Sequence, residues 1–299
     1  MSLTRRLLAS LALSFVAACV SSPPASDDTI GAAPALFVAR DADSTLYLYG
    51  TIHLRRAGDA WGGPHVESAL AQSEEVWTEV GLDPASEARA QGEAMRLGFS
   101  ADAPLSSQLT ADEQQRLATL TQGLGIPPQA LDRMRPWMAA LTLTLVPIVR
   151  AGYDPNGGVD RAVVAWAREH DKTLRAFETP EEQVHIFSGF DEDVQLAMLR
   201  AALDGAEESA DVATNLSAAW DRGDIRAIEE LAVTDVRVDY PLMYQAIYAR
   251  RNGAWVEVLS HEMEGAGVDF VAVGAGHLYG PDGLIAQLRA RGIRVERMQ

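Results

Sequence analysis

Apolar and polar positions alternate with two different periods along this chain, and the change of period divides it into regions. Residues 36–40 and 45–49 are short β-prone runs flanking Asp41-Ala42-Asp43-Ser44, which predicts a hairpin. Pro64 suits a first helical turn and opens a helix over 64–72. Residues 76–80 read as a strand. The apolar spacing then turns to three and four. It predicts helices over 84–97, 111–123, 128–150, 158–171, 180–187, 191–222, 224–233, 238–251 and 254–265. Pro136 and Pro147 are expected to kink or break the third of these. A short strand over 173–177 interrupts the series. Residues 268–273 form a strongly apolar strand, 281–291 a helix stopped by Gly292, and 293–298 a last strand.

Strands therefore lie at both ends and helices fill the middle. The two ends also resemble each other. Leu46-Tyr47-Leu48-Tyr49-Gly50-Thr51-Ile52-His53-Leu54 and Phe270-Val271-Ala272-Val273-Gly274-Ala275-Gly276-His277-Leu278 are each a strand followed by G-x-x-H-L. Each is followed by a Gly-Pro pair, Gly63-Pro64 or Gly280-Pro281, then a helix and a strand. This reads as a degenerate duplication. The fold class is α/β: a small mixed sheet built from two strand–GxxH–helix–strand halves about an approximate two-fold, with a long helical insertion. Residues 35–299 are expected to form a single domain.

Composition adds limits. The 299 residues are 47% hydrophobic and 22% charged, as in a folded soluble chain. There are 25 basic against 42 acidic residues, a net charge of −17, which argues against nucleic acid as a partner. The single cysteine excludes a disulfide framework and a Cys-rich zinc module. It stands at Cys19, after the basic pair Arg5-Arg6 and the apolar run 7–18, which is too short to span a bilayer and suits a secretory signal. Val16-Ala17-Ala18-Cys19 resembles a bacterial lipobox. That resemblance implies cleavage after residue 18, lipidation of Cys19, and a polar tether over 19–34. An ordinary signal with an incidental cysteine is the plainer reading, and the position of the lone cysteine argues against it. Val20, rather than Asp, follows. The expected location is the cell envelope, facing the periplasm, at the outer membrane more than the inner.

Both GxxH turns leave the C-terminal ends of strands, where ligands bind in open α/β sheets. Packing the two halves together brings His53 and His277 to one place. Two imidazoles and a carboxylate suit a divalent transition metal. Glu79 is the candidate carboxylate, because strand alternation puts it opposite Val76, Thr78 and Val80, and an acidic residue on an apolar strand is costly to bury unpaired. The alternative is a solvent-facing Glu79 on an edge strand. His65, His170, His185 and His261 fall on predicted helices with surface or capping roles. No zincin helix, G-x-S-x-G elbow, Walker loop or dinucleotide fingerprint occurs.

These residues resemble the TraB/GumN family, which includes the Tiki membrane metalloproteases. The likeness runs from about residue 34 to 299. It rests on Tyr49-Gly50-Thr51-Ile52-His53, Val273-Gly274-Ala275-Gly276-His277-Leu278, Gly280-Pro281-Asp282-Gly283-Leu284 and Gly292-Ile293-Arg294-Val295. Trp77-Thr78-Glu79-Val80, Gly158-Val159-Asp160, the run Phe177 to Gln183 and Arg251-Asn252-Gly253-Ala254-Trp255 stand between them in the same order. The resemblance implies an α/β core with a helical insertion. For the Tiki members it implies metal-dependent peptide hydrolysis at the positions of His53, His277, Glu79 and Arg251. The segment Arg55-Arg56-Ala57-Gly58-Asp59 differs from theirs, as does anchoring at the N-terminus.

The expectation is thus a metal-dependent hydrolase, a peptidase of the envelope, acting on a peptide or small envelope substrate. The metal is Mn, Co, Zn or Fe. Glu79 is either third ligand or general base. Arg251 either stabilises an oxyanion or holds a substrate carboxylate, unless it is a helix-end arginine pairing a surface acid. Glu178 either supports a ligand histidine from outside or helps cap the next helix. Asp160 reads as a first-turn acid on the helix dipole. The alternatives are a non-catalytic lipoprotein that sequesters a peptide or polymer, and a hydrolase of another ester or amide.

Overall fold

A computed structural model describes residue 31 and residues 33–298 other than 101–102. The segment 1–18, Cys19 and most of the tether lie outside the described residues. Among those described, no helix is long and apolar enough to cross a membrane.

Six strands form one sheet: β1 (Leu36–Arg40), β2 (Ser44–Thr51), β4 (Glu75–Val80), β6 (Thr173–Glu178), β7 (Gly267–Gly274) and β8 (Val295–Arg297), in the order β6-β4-β7-β2-β1-β8. The expected hairpin is there. β1 pairs antiparallel with β2, and Asp41 Oδ1 accepts the Ser44 N–H to close the turn. β2, β7, β4 and β6 run parallel to one another, and β8 pairs antiparallel with β1. Buried on both faces, β2 and β7 can be apolar at nearly every position. Two further strands, β3 (Arg55–Arg56) and β5 (Tyr153–Asp154), pair beside the first GxxH turn. They are too short to leave a period in the sequence.

The helices are α1 (Pro64–Gln72), α2 (Pro84–Gly98), α3 (Ala111–Gly123), α4 (Pro128–Asp132), α5 (Pro136–Arg150), α6 (Val159–Glu169), α7 (Pro180–Ser188), α8 (Glu192–Gly205), α9 (Ser209–Asp221), α10 (Ile225–Glu229), α11 (Asp235–Asp239), α12 (Pro241–Tyr244), α13 (Arg250–Glu262) and α14 (Leu284–Ala290). π-helical turns at Glu230–Thr234 and Gln245–Ala249 join α10 to α11 and α12 to α13.

Four expectations need correction. The helix over 128–150 is two helices. Pro136 opens the second, where its missing N–H costs nothing, while Pro147 stays inside α5 near its end and does not break it. The helix over 191–222 divides after Gly205. The expected break between 251 and 254 is absent, because the Asn252 side chain is taken up by tertiary partners instead of capping. Pro281 lies in a turn, and the last helix begins at Leu284.

The duplication has a topological consequence. From β2 the chain crosses through α1 to β4, beyond β7. From β7 it crosses through α14 to β8, beyond β1. The two crossovers leave in opposite directions, so the direction of winding reverses between β2 and β7. Such a reversal leaves a crevice at the carboxyl ends of the strands. The register sets Gly50 beside Val273 and Thr51 beside Gly274, so both GxxH turns leave the sheet at the same level. One hydrophobic core packs on the sheet around Phe37, Leu48, Phe270 and Val271. A second, made of Leu105, Leu131, Trp137, Leu143, Leu199 and Leu203, lies within the helical middle.

Candidate functional site

His53 follows β2 directly, and His277 ends a 3-10 turn after β7. Glu79 sits near the end of β4, on the other side of β7. Its side chain reaches across, so that Oε1 accepts the Gly274 N–H at 2.7 Å. The carboxylate then lies 3.9 Å from His53 Nε2 and 3.8 Å from His277 Nε2. The three residues named from the sequence are therefore brought together, and Glu79 is buried rather than solvent-facing. Gly274 is what permits the approach. A Cβ there would stand 2.9 Å from Glu79 Oε1 and 3.3 Å from His53 Nε2.

Each imidazole is oriented from behind. His277 Nδ1 donates to Asn252 Oδ1 at 2.6 Å, and Asn252 Nδ2 donates to the Asp282 carbonyl, which fixes the amide's direction. That leaves His277 Nε2 as the acceptor on the cleft side, 3.8 Å from Glu79 Oε2. His53 Nδ1 faces Asp160 Oδ1 at 3.5 Å, and that oxygen is buried with no shorter partner. Asp160 does stand in the first turn of α6 as expected, but it also serves the site. Gly158 lets α6 begin against the backbone of His53, where a Cβ would lie 2.6 Å from the His53 carbonyl oxygen.

Helix α13 brings the cation. Arg251 Nε and Nη2 grip Glu178 at 2.6 and 2.8 Å, and Nη2 also meets Glu79 Oε2 at 2.7 Å. Nη1 donates to the Ile247 carbonyl and to His277 Nε2, both at 3.0 Å. All five guanidinium N–H groups are thus committed. Arg251 is neither a surface arginine nor a free donor for an oxyanion; as arranged it clamps the two carboxylates. Glu178 touches no histidine. It bears on the centre through Arg251 and accepts from Trp255 Nε1, while Thr179 and Glu182 cap α7 without it. The Trp255 and Tyr248 rings pack against His277.

The electrostatics follow from these neighbours. Burial and the Arg251 charge push His277 down to about 3, so the ring is neutral. The His53 side chain is 57% exposed, at the edge of the cleft. Burial opposes its charge, but the Asp160 hydrogen bond and the carboxylates of Asp160 and Glu79 outweigh it and raise His53 to about 9. Burial likewise opposes ionisation of Glu79. The imidazoles of His277 and His53, Arg251 and the Gly274 N–H hold it down at about 2. With His277 neutral, that work falls to His53 and Arg251.

Two imidazoles and a carboxylate are a donor set for a first-row divalent metal, and each Nδ1 is turned to an outer acceptor in the manner of a ligating histidine. The chemistry of the donors fits such an ion. Their present spacing is that of a hydrogen-bonded cluster. Among the described residues, no three His, Cys, Asp or Glu side chains are set to hold an ion as they stand, and Arg251 covers the His277 lone pair.

The centre opens into a cleft of about 820 Å³ between the sheet and the helical middle. Sequence reasoning missed the roles of Asp160, Asn252 and Tyr248 here. Asn252 stood in the quoted Arg251-Asn252 pair, and Asp160 in Gly158-Val159-Asp160. Only their contacts across the fold give them a task.

Fold and centre together define an α/β protein with paired GxxH histidines, a glutamate and an arginine gathered where the sheet changes its winding. The chain belongs to the TraB/PrgY/gumN family, whose profile matches residues 35–297. It is similar to the uncharacterized protein YbaP of Escherichia coli (strain K12), 25% identical over 185 residues, which cover 62% of this chain and 68% of that protein. YbaP of Shigella flexneri matches to the same extent.

Proposed function

We propose that this chain is a metal-dependent hydrolase of an acyl bond, peptidase-like, tethered to the cell envelope through lipid on Cys19 and facing the periplasm. The observation that carries the reading is the convergence of two outward-anchored imidazoles on one buried carboxylate at the mouth of a cleft. His53, His277 and Glu79 would hold the ion, one of Mn, Co, Zn or Fe. When bound, such an ion polarises a carbonyl and lowers the pKa of a bound water. His53 would have to be neutral to hold the ion, so binding would be linked to pH. Asp160 and Asn252 hold the two rings in their tautomers. Arg251 keeps Glu79 ionised and fixed, and Glu178 holds Arg251 in place. In hydrolysis, water adds to the acyl carbon, the carbon–nitrogen or carbon–oxygen bond breaks, and a proton passes to the leaving group. Glu79 has one of two roles there: third ligand to the ion, or general base that takes the proton of the water once its carboxylate is released from the Arg251 and Gly274 N–H groups.

A second reading is a lipoprotein that binds a ligand in the same cleft without turnover. It is favoured by the Arg251 contact on His277 Nε2, which occupies the lone pair a metal would use. The separating experiment is turnover of a mixed panel of peptides and acyl esters with Mn, Co, Zn or Fe added. The hydrolase reading expects cleavage that is abolished by chelator and by His277→Ala. Binding without cleavage for every metal contradicts it and supports the second reading.

A further inference from the structure

Away from the centre, the cleft wall comes from Met138, Leu141 and Leu145 of α5, Val184 and Phe187 of α7, and Leu216 of α9. The polar groups on this wall are mostly spent. Thr142 Oγ1 donates to the Met138 carbonyl, Ser217 Oγ accepts from Arg55, and Arg161 is paired with Glu87. That leaves the Ser217 O–H and the amide of Gln183. The backbone of the wall is helical, so its N–H and C=O groups are engaged within the helices. A peptide lying here would lose hydrogen bonds for its own backbone and find few replacements, at a cost of about 1–3 kcal/mol for each unmet group. An alkyl chain loses none. The apolar surface also continues outward. Leu145 is 40% exposed, Val149 lies one turn beyond it, and Val212 stands on α9 beside the cleft-lining Ala213; all three are exposed. The volume of about 820 Å³ falls among pockets that enclose a whole small ligand.

We infer that the α5–α7–α9 wall is a binding site for a single long alkyl chain, presented so that its acyl carbonyl lies at the His53–Glu79–His277 centre. The placement of the carbonyl rests on the hydrolase reading; the alkyl site does not. The substrate class is then a fatty acyl amide or ester.

The test is fluorescence titration of the full chain with dansyl-labelled alkyl amides of 8, 12 and 16 carbons, below their micelle concentrations. Affinity is expected to rise about fourfold per buried methylene from 8 to 12 carbons, and to level off once the cleft is filled. Leu145→Glu, at an exposed rim position, is expected to weaken the 12-carbon probe at least about tenfold with the circular dichroism unchanged. Ala213→Trp is expected to do the same by filling space, and serves if the first variant misfolds. An uncharged apolar heptapeptide amide is expected not to displace the probe at equal concentration. Affinity independent of chain length, or displacement by the peptide at lower concentration than the 12-carbon amide, overturns the inference. The same titration on the His53→Ala, His277→Ala double variant separates the two readings. Chain-length dependence kept while metal binding is absent in wild type removes the hydrolase and leaves the alkyl site. Metal-dependent turnover without chain-length dependence does the reverse.

Discussion

Gly274 leaves so little room that a single added Cβ would meet Glu79, His53 and His277 together. The same holds one layer out. Among the described residues Asn252 Oδ1 is the acceptor that His277 Nδ1 meets, and losing it frees both the ring and its tautomer. Asn252→Ala is expected to lower metal affinity about 10–100-fold, read by titration with Co and its visible absorption. Asn252→Asp keeps an acceptor and is expected to retain most of that affinity. Equal loss in both variants would mean that packing, and not the hydrogen bond, holds the ring. The sequence gives such residues no signature. His53 and His277 are legible because each sits in a repeated strand–GxxH context. Glu79 is legible because a carboxylate interrupts an apolar strand. Asp160, Asn252 and Tyr248 are ordinary helix residues until the fold brings them up against a histidine. Arg251 is legible as a site residue, but its role is not. Only the contacts show that its five N–H groups are already used.

Element by element, the sequence pattern holds best where one period dominates. β2, β7 and α1 match their apolar runs, and the β1–β2 turn follows from its Asp and Ser. The pattern is weakest where tertiary partners override local preference. The π-helical turns at Glu230–Thr234 and Gln245–Ala249 each insert a residue that a 3.6 period averages away. Their effect is on the cleft: they set Ala232, Ile247 and Tyr248 around it, and the Tyr248 hydroxyl ties the second turn to the first through the Ala232 carbonyl. β7 shows a different tension along its own length. Gly274 at one end serves the site. Asp269, near the other, is crowded by partial burial and by Glu262, Glu75 and Glu74, and is raised to about 6. A carboxyl held above its unfolded value contributes stability below about pH 4 that is lost as pH rises through 6. Asp269→Asn is therefore expected to stabilise the protein by about 1 kcal/mol at pH 7.5, after allowance for solvent screening. The gain should vanish at pH 4. Denaturant melts at the two pH values check this, and an equal gain at both would contradict the charge explanation.

For the molecule as a whole, the reversal of winding between β2 and β7 decides where the two histidines meet. Each GxxH motif alone is a turn with a histidine. Placed on neighbouring parallel strands in matched register, the two motifs become one centre. The helical middle, with a core of its own, then roofs that centre and makes it a cleft. Its apolar wall faces the histidines, so under the proposed function the substrate would be selected by one part of the chain and acted on by another. The most direct measurement of the central claim is metal content by elemental analysis. It is made on the purified full-length chain after reconstitution with Mn, Co, Zn or Fe, beside His53→Ala and His277→Ala. The account predicts about one ion per wild-type chain and none in either variant, with the circular dichroism of all three the same. Equal metal in wild type and variants, or none in wild type with any of the four ions, would contradict it.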